Sequence, residues 1–426
     1  MSRRTNAIKL YSKHISRGKA KTYLKYRLAL VPDIRGGSFI HDINGKRFMN
    51  FHCNGGVFNL GHNNPHTIAA LRDALNKYDT GGAFAHSPLR KQLADELARL
   101  MPGGISSVLL CDSGSEANDA ALSVAFKRTG RAGVVSAKGA YHGSGALTIA
   151  AGDPAFKAPF GPAIPGFTQI PFGDIAAMES AVNGDTAAVI LETIPATLGM
   201  KMPPDDYFQE VRALCDARGA LLIIDEVQTG LGRTGKLWAI EHWRVEPDII
   251  TIGKGLGGGV YPIAAACFKP ELARAFAVSP FLHHSEYGGC DLGCAVAIKV
   301  LEISSAPAFL AHVNRMAGFF NKRLHEIKNE FPESIIEIRQ KGLFIGIVFK
   351  DELVSMLMLK ILFDNGVYTV YAGNDKKVIQ FLPPLNITEK QASDALDILR
   401  KSVRNLKKPV NVILLNVLKI VSPKTV

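Results

Sequence analysis

The sequence lacks a long hydrophobic run. In 426 residues, no uncharged apolar stretch approaches the roughly 20 residues that a helix needs to cross a bilayer. The first basic residues are not followed by the apolar core of a secretory signal. We therefore expect a cytoplasmic protein without a membrane partner. The apolar tail at residues 409–420 is too short to span a bilayer and is expected to pack on the core.

Cysteine is also scarce, with six residues scattered along the chain. So few cysteines in so long a chain argue against a disulfide scaffold, and reduced thiols are expected. Cys290 and Cys294 lie near His283 and His284, but the cysteine spacing does not match a zinc finger or zinc ribbon. We interpret these cysteines as small buried apolar residues and expect no metal.

Acidic residues are absent from residues 1–27, which hold nine Lys or Arg. Residues 386–426 hold eight basic and three acidic residues, so the two ends account for the whole net charge of +12. A nucleic-acid-binding or scaffold function would rest on these ends alone, so we expect no nucleic-acid partner. The basic N-terminus fits an amphipathic arm or a transit peptide. The arm is favoured because Tyr11, Tyr23 and Tyr26 can pack on a partner surface.

What the chain does contain is a series of short apolar runs separated by helical patterns. This alternation is typical of an α/β fold with a largely parallel sheet covered by helices on both faces. The runs are SSVLLCD (106–112), GVVSA (133–137), AAVILE (187–192), ALLIIDE (220–226), DIITIG (248–253) and PIAAACF (262–268).

The pattern changes near residue 300. Long helical stretches lead to the alternating segment IIEIRQKGLFIGIVF and the amphipathic ITEKQASDALDILRKSV, which together indicate a smaller α+β domain. At the other end, FIHDINGKRFMNF predicts a hairpin that turns at Asn44 and Gly45. We therefore expect an N-terminal arm and hairpin at 1–60, a large domain at 61–300 and a small C-terminal domain at 301–426.

The segment IITIGKGLGGG (249–259) places Lys254 among glycines. Read literally it satisfies GxGxxG, but the glycines lead into a further apolar run and not into a helix, which disfavours a dinucleotide site. A Walker loop would need Ser or Thr after Lys254. The alternative is a nucleophile, a primary amine at the end of a strand that can form a Schiff base with an aldehyde.

If the aldehyde is pyridoxal phosphate, the pyridine nitrogen needs a carboxylate and the phosphate needs a helix N-terminus. Asp225, at the end of ALLIID, fits the first requirement, although an acid that caps a turn is equally consistent. Ser113, Gly114 and Ser115 in LLCDSGSEANDAAL fit the second requirement, with a plain helix cap as the alternative. Tyr141 in AYHG offers an aromatic plate for a flat ring, with core packing as its alternative.

These motifs occur in the order SGSEAN, YHG, DEVQTGLGRTG and GKGLGGG, and together they resemble the class III pyridoxal-phosphate aminotransferases of the ornithine and 4-aminobutyrate type. The resemblance extends from GVFNLGHNNP to QFLPPLNIT. It implies fold type I, which is aspartate aminotransferase-like, with a large domain around a seven-stranded mostly parallel sheet and a smaller α+β domain. It also implies a homodimer with shared active sites, a small-molecule amino donor and a small-molecule acceptor.

The resemblance assigns three catalytic residues. Lys254 would form the internal aldimine and move the proton between substrate Cα and the cofactor. Asp225 would keep the pyridine nitrogen protonated, so that the ring accepts negative charge from the substrate. Glu192, in VILET, would support the substrate side of the site.

The resemblance also assigns cofactor contacts around the ring and the phosphate. Val227 and Tyr141 would cover the two ring faces, and Gln228 would reach the phenolic oxygen. The remaining expected contacts are His142 beside Tyr141, the phosphate cradle Ser113, Gly114 and Ser115, and Ser285.

The pattern departs from the family on the substrate side. The family's gating glutamate corresponds to Thr197, and the arginine before FxPPL with which it pairs corresponds to Gln380. A second carboxylate-binding arginine, after YHG, corresponds to Ser144. Because both charged clamps are missing, glutamate and 2-oxoglutarate are not expected to bind in the usual manner.

Two departures from the family pattern leave alternatives open. Arg35, Arg47 and Arg233 are candidate replacements for the lost clamps, and the sequence does not choose among them. In relatives a threonine in a segment like STFGGN reaches the neighbouring subunit's phosphate, whereas SEYGGC here places Glu286 at that position. An acid that faces a phosphate is unfavourable, so Ser285 is the candidate donor.

Transamination is the main functional hypothesis. The same fold and the same lysine chemistry also support amino-acid racemases, epimerases and aminomutases, which are compatible with the missing arginine. The two classes differ in one simple respect. A transaminase consumes an acceptor, whereas a racemase turns over one substrate alone.

Overall fold

The computed structural model of the chain describes residues 3–26, 28–81, 86–161, 164–274 and 283–406. The apolar tail at 409–420 lies outside the described residues. The basic N-terminus forms the helices Arg3–His14 and Arg17–Lys25, on which Tyr11 and Tyr23 are exposed.

The N-terminal segment continues into three antiparallel strands, β1 (Pro32–Gly36), β2 (Phe39–Asp42) and β3 (Arg47–Asn50). The predicted hairpin is confirmed, with Phe39 opposite Met49. Residues 43–46 connect the two strands, the Gly45 N–H donates to Asp42 O, and Gly45 takes a left-handed φ of 83°. A left-handed glycine at the end of such a loop is a common way to close a hairpin.

The large sheet contains seven strands in the order β4-β10-β9-β8-β7-β5-β6. Strands β5 to β9 are parallel, and β10 runs antiparallel to both β4 and β9. The strands are β4 (Ser107–Cys111), β5 (Gly133–Ala137), β6 (Phe167–Ile170), β7 (Thr186–Glu192), β8 (Leu221–Asp225), β9 (Ile249–Ile252) and β10 (Ala264–Phe268). All six predicted runs are strands of this sheet, and the predicted α/β fold with a mostly parallel sheet is confirmed.

The burial of the central strands explains why their sequences are apolar throughout. Every residue of β7 and β9 is buried, as expected where helices cover both faces of a parallel sheet. Fully burying one Leu, Ile or Val side chain contributes roughly 1.5–3 kcal/mol, so this layer makes a large contribution to the stability of the fold.

The C-terminal region forms a smaller antiparallel sheet, in the order β11-β12-β15-β14. Its strands are β11 (Ile335–Lys341), β12 (Phe344–Phe349), β14 (Val370–Tyr371) and β15 (Val378–Gln380), whereas β13 (Val367–Tyr368) pairs in parallel with β3 of the N-terminal hairpin. A second core joins these parts, and in it the rings of Phe51 and Phe381 lie 4.3 Å apart. The end of the hairpin is thus anchored to the C-terminal region.

The remaining helices connect or flank the strands of these sheets. The α-helices are Pro65–Leu75, Pro88–Leu100, Gly114–Thr129, Ala146–Ala151, Pro154–Lys157, Ile175–Ala181, Tyr207–Arg218, Asp291–Ser304, Pro307–Glu330, Glu352–Asp364 and Glu389–Asn405. Cys53–Gly56 forms a short turn in which all four residues have positive φ. Short 3-10 turns occur at Ala158–Phe160, Ala239–His242, Lys254–Gly257 and Pro270–Ala273.

Among the described helices, none is by itself both long and apolar enough to cross a bilayer. Two consecutive helices, Asp291–Ser304 and Pro307–Glu330, meet the length and composition criterion only when they are taken together, and a bend of 63° separates them. All six cysteines are free and buried. The thiols of Cys290 and Cys294 donate to Tyr261 Oη and Gly289 O, so both cysteines act as small packed residues, as expected.

Candidate active site

The predicted site residues meet at one edge of the large sheet. Strands β7 and β8 end at Glu192 and Asp225, which are register partners, and Asp225 is in turn the partner of Thr251 on β9. Lys254 follows three residues later. The carboxyl ends of parallel strands share one edge, where open α/β sheets bind their ligands.

Asp225 is buried and held by three hydrogen bonds. Its Oδ2 accepts from Asn118 Nδ2 and lies 2.8 Å from His142 Nδ1, and its Oδ1 accepts from the Val227 N–H at 3.0 Å. Asn118 is held in turn by the hydroxyl of Thr251, which donates to its Oδ1 at 2.5 Å. This network fixes the orientation of a buried carboxylate that one hydrogen bond alone would leave under-satisfied.

His142 lies against Asp225, and both its ring nitrogens are buried. Burial lowers its pKa, but the hydrogen bond and charge of Asp225, with the charge of Glu192, raise the pKa of His142 above its usual value overall. Its Nε2 has no hydrogen-bond partner among the described residues. Within the described residues, the hydrogen bond to Asp225 is therefore the one that the imidazole makes.

Lys254 begins the 3-10 turn after β9 and takes a left-handed φ of 43°, which is unusual for a residue with a side chain. Its Nζ donates to Gln228 Oε1 at 2.8 Å. Burial lowers the pKa of Lys254, whereas the charges of Asp225 and Glu192 raise it, and the net change is a decrease. A partly desolvated amine of this kind is a better nucleophile and proton acceptor near neutral pH.

The glycines around Lys254 permit close packing. A Cβ on Gly253 would lie 3.3 Å from Gly114 N, and a Cβ on Gly255 would lie 3.0 Å from Asn59 Nδ2. The segment continues into strand β10 and not into a helix. This geometry fits the amine interpretation of GKGLGGG and lacks the helix that a dinucleotide fingerprint requires.

Glu192 connects two loops of the site. Its Oε1 accepts from the Tyr141 N–H at 3.1 Å and its Oε2 accepts from the Ala196 N–H at 3.3 Å. Burial, with a smaller contribution from the charge of Asp225, raises the pKa of Glu192 to about 7. The side chain thus positions the Tyr141 loop and the loop that carries Thr197.

The predicted phosphate cradle is the N-terminus of a 16-residue helix, Gly114–Thr129. Ser113 is its N-cap and accepts from the Glu116 N–H at 3.2 Å. The Ser115 hydroxyl accepts from the N–H groups of Ser144 and Gly145, and therefore also holds the loop after His142. The first N–H groups of a helix have no acceptor within the helix, so this end is suited to an anion.

Two further predicted contacts flank this cradle. Gly114 packs so tightly on Val227 that a Cβ there would lie 2.6 Å from Val227 Cγ1. Tyr141 is 39% exposed, packs edge-on against Phe156 with ring centroids 5.2 Å apart, and lies 3.2 Å from the Ser144 hydroxyl. Its remaining face is thus available to a ligand.

The substrate-side positions are neutral and hydrogen-bonded to their own chain. The Thr197 hydroxyl donates to Gly139 O at 2.7 Å, and Gln380 Nε2 donates to Ala196 O at 3.3 Å. Arg233 is fully buried and donates to Leu343 O, Pro383 O and Asn59 Oδ1. Because its hydrogen bonds are internal, Arg233 is removed from the candidate replacements for the lost clamps.

The SEYGGC segment lies beside the cradle in the same chain. The Ser285 hydroxyl donates to Asp112 Oδ2 at 3.2 Å, next to Ser113. Glu286 is exposed and lies 3.1 Å from His284 Nε2. The acid thus has a neighbouring histidine as its partner.

Sequence reasoning missed Asn118 and His52. Asn118 is a buried asparagine inside an alanine-rich helix, and asparagine is unfavourable there unless its side chain has a specific partner, which is a usable signal. His52 follows the hairpin, and its backbone N–H donates to Asn50 Oδ1. Its proximity to Lys254 depends on tertiary packing, and no local pattern indicates it.

The groups that meet at this site fit the chemical requirements of pyridoxal phosphate. A buried amine, a fixed buried carboxylate and a helix N-terminus converge at one sheet edge, and an exposed aromatic face lies beside them. Gly114 lets the cradle pack directly against Val227, where a Cβ would clash. Together with the seven-stranded sheet, these features define a fold type I pyridoxal-phosphate enzyme.

Comparison with known proteins identifies the family. Residues 25–403 match the family described as aminotransferase class-III, so the chain belongs to the class III aminotransferases. It is 49% identical to an uncharacterized aminotransferase of Archaeoglobus fulgidus, over 90% of each chain. It is 38% identical to the putrescine aminotransferase of Pectobacterium atrosepticum, over 86% of this chain and 81% of the relative.

A solved structure agrees with this assignment. The ornithine aminotransferase of Toxoplasma gondii superposes with a TM-score of 0.87 at 28% identity, covering 96% of each chain. The protein is therefore a pyridoxal-phosphate-dependent aminotransferase with small-molecule substrates. All three relatives are named as aminotransferases, and none of them supports the racemase alternative.

Proposed function

We propose that Lys254 holds pyridoxal phosphate as a Schiff base and that the enzyme moves an amino group from an amino acid or amine to a keto acid or aldehyde. One observation carries the proposal. The buried Lys254 amine, whose pKa is lowered, lies at the same sheet edge as the immobilised carboxylate of Asp225. Bound pyridoxal phosphate supplies an aldehyde for the amine and a protonated ring that accepts electrons from substrate Cα.

The chain's own residues then have distinct roles. Asp225 pairs with the pyridine nitrogen, while Asn118 and His142 hold the carboxylate in one orientation. Lys254, when its amine is neutral, would take a proton from substrate Cα and return it to C4′ of the cofactor. Glu192 positions Tyr141 and the Thr197 loop on the substrate side of the site.

The cofactor is proposed to lie between Val227 and Tyr141, with Gln228 on its phenolic oxygen. The backbone N–H groups of Gly114 and Ser115, with the Ser113 cap, hold its phosphate. Support comes from the tight contact of Gly114 with Val227 and from the exposed face of Tyr141.

We also propose a homodimer with shared active sites, in which Ser285 reaches the cofactor phosphate bound in the neighbouring subunit. The aromatic side chains exposed on the N-terminal helices support the dimer. The domain limits 1–60, 61–300 and 301–426 remain part of the proposal. The six free thiols support a cytoplasmic location.

The test is a donor panel on the purified enzyme loaded with cofactor. The relatives named for putrescine and ornithine make these two amines the first donors to use. A true donor should abolish the visible absorbance of the bound cofactor without any acceptor, and a keto acid should restore it. Turnover of a single substrate without an acceptor would contradict the proposal.

A further inference from the structure

A cavity of about 570 Å³ lies between the N-terminal helices, the hairpin and Tyr368. Tyr11 and Tyr23 of the arm line its outer part, and His52 and Asn54 line a different part of its wall. This volume is within the range of about 300–1,000 Å³ that small-molecule sites occupy.

The segment that follows His52 in the cavity wall packs on Gln228, the hydrogen-bond partner of Lys254. Residues Cys53–Gly56 after His52 all have positive φ, and a Cβ on Gly55 would lie 3.5 Å from Gln228 Nε2, the side chain that accepts from Lys254. Burial and the positive charge of Lys254 together lower the pKa of His52 to about 4. His52 is therefore a neutral neighbour of the reactive amine.

The charge of the cavity is positive. Arg35 is its only charged lining residue, and no carboxylate lines it among the residues that the structure describes. Burial, followed by the charge of Arg35, lowers the pKa of His62 to about 4, so this lining histidine is also neutral. The Arg35 guanidinium makes no hydrogen bond or ion pair within the described ranges, although its carbonyl accepts from Asn63.

We propose that this cavity binds the carboxylate of the keto-acid acceptor, with Arg35 as the recognising cation and His52 and Asn54 as neutral hydrogen-bonding groups. The proposal rests on the proposed role of Lys254, beside which the carbonyl of the acceptor must lie. Thr197, Ser144 and Gln380 are neutral, and Arg233 has internal partners, so none of the four offers a free cation. A guanidinium can bind a carboxylate through two parallel hydrogen bonds.

Arg47 provides the matched control. It lies on β3, is exposed, stacks over Phe39 at 4.7 Å and does not line the cavity. Arg35→Gln and Arg47→Gln therefore remove the same charge from strands of the same N-terminal sheet, and only the first removes it from the cavity.

The experiment measures two quantities on each holoenzyme: the Kd of succinate, an unreactive dicarboxylate, by calorimetry, and the KM of pyruvate as acceptor. Arg35→Gln should raise both by about tenfold or more, the scale of a lost hydrogen bond to a charged group, with little change in kcat. Arg47→Gln should leave both within about twofold of wild type. Arg35→Lys, which keeps the charge but not the paired geometry, should fall in between.

Two controls keep the outcome interpretable. Wild-type absorbance of the bound cofactor and an unchanged half-reaction with an amine donor show that Lys254 functions in Arg35→Gln, so a failure of the subsite is distinguishable from a failure of the proposed function. If Arg35→Gln does not fold, the comparison of Arg35→Lys with Arg47→Lys decides. Equal succinate affinity in the Arg35 and Arg47 variants overturns the proposal.

Discussion

The cofactor side and the substrate side of this site are built in opposite ways. On the cofactor side, Asp225 and Lys254 are ionisable groups at the ends of adjacent strands, and Asn118 and His142 fix the carboxylate. On the substrate side, Thr197 donates its one hydroxyl proton to a backbone carbonyl of its own chain. The cofactor side is thus organised around charged groups, whereas the side chain on the substrate side is neutral and hydrogen-bonded within its own chain.

This difference separates the chemistry from the specificity. The cofactor chemistry requires particular ionisable groups in a fixed geometry, so little variation is tolerated there. Substrate recognition requires only complementarity to the molecule that is used. Because the substrate-side positions are neutral, we propose that the acceptor carboxylate is recognised at a different place, by Arg35.

The largest effect is expected at Asp225. Asp225→Asn keeps the shape but removes the charge that stabilises a protonated ring, so kcat/KM should fall by about 100-fold or more, the scale for an electrostatic contact made in the transition state. Steady-state kinetics with the donor found in the panel provides the measurement.

Asp248 is the control for this substitution. It is also a buried aspartate of the large sheet, but it precedes β9 and pairs with Arg212 and Lys269 away from the site. Breaking such a pair costs about 3–5 kcal/mol of stability, so Asp248→Asn should lower Tm and leave kcat/KM of the folded enzyme nearly unchanged. Equal kinetic losses in the two variants would contradict the special role of Asp225.

A smaller effect is expected in the pH dependence of stability through Glu192. The pKa of this carboxyl is about 7 in the folded protein against an ordinary value of 4.5. Between these values the folded state binds more protons than the unfolded state, so this group's contribution to stability is present below pH 4.5 and is lost as the pH rises through 7.

Glu192→Gln removes this titration, so the decrease in Tm of the cofactor-free protein between about pH 5 and about pH 8 should become smaller. Glu226, whose pKa is also raised by burial to about 7, does not contact the Tyr141 loop. Because the pKa of Glu226 is raised in the same way, Glu226→Gln should change the pH profile of Tm in the same direction. An unchanged profile in Glu192→Gln would show that the carboxyl is ionised when folded.

The smallest effect is expected at Gln380. Gln380→Ala removes a neutral hydrogen bond to Ala196 O, which contributes about 0.5–1.5 kcal/mol to stability. The rate of the half-reaction with an amine donor, measured by stopped-flow absorbance, should change by less than about threefold. A loss as large as that in Asp225→Asn would show that the substrate side is more than a neutral wall.

Much of the fold could be predicted from the sequence because its central strands are buried on both faces. Strands β7, β8 and β9 appear as continuous apolar runs for this reason. Strand β6 was missed because it lies at the edge of the sheet, and only one of its four residues is buried. The pairing of β3 with β13 joins residues more than 300 positions apart, and no local pattern encodes it.

In the site, too, residues that a local sequence pattern indicates could be predicted, whereas residues that depend on tertiary packing could not. Lys254 and Asp225 could be predicted because the chemistry requires an amine and a carboxylate at strand ends. Asn118 acts on Asp225 across 107 positions of sequence, and His52 reaches the site only because the hairpin is anchored by Phe51. The exclusion of Arg233 also required the structure, since its burial among backbone carbonyls is a tertiary property.

The most direct test of the central claim is to reduce the purified holoenzyme with borohydride and map the modified peptide by mass spectrometry. We expect one pyridoxyl group, on Lys254, and none in Lys254→Ala, while Lys236→Ala, which removes an exposed lysine, should be labelled like the wild type. A pyridoxyl group on another lysine, or equal labelling of Lys254→Ala, would contradict it.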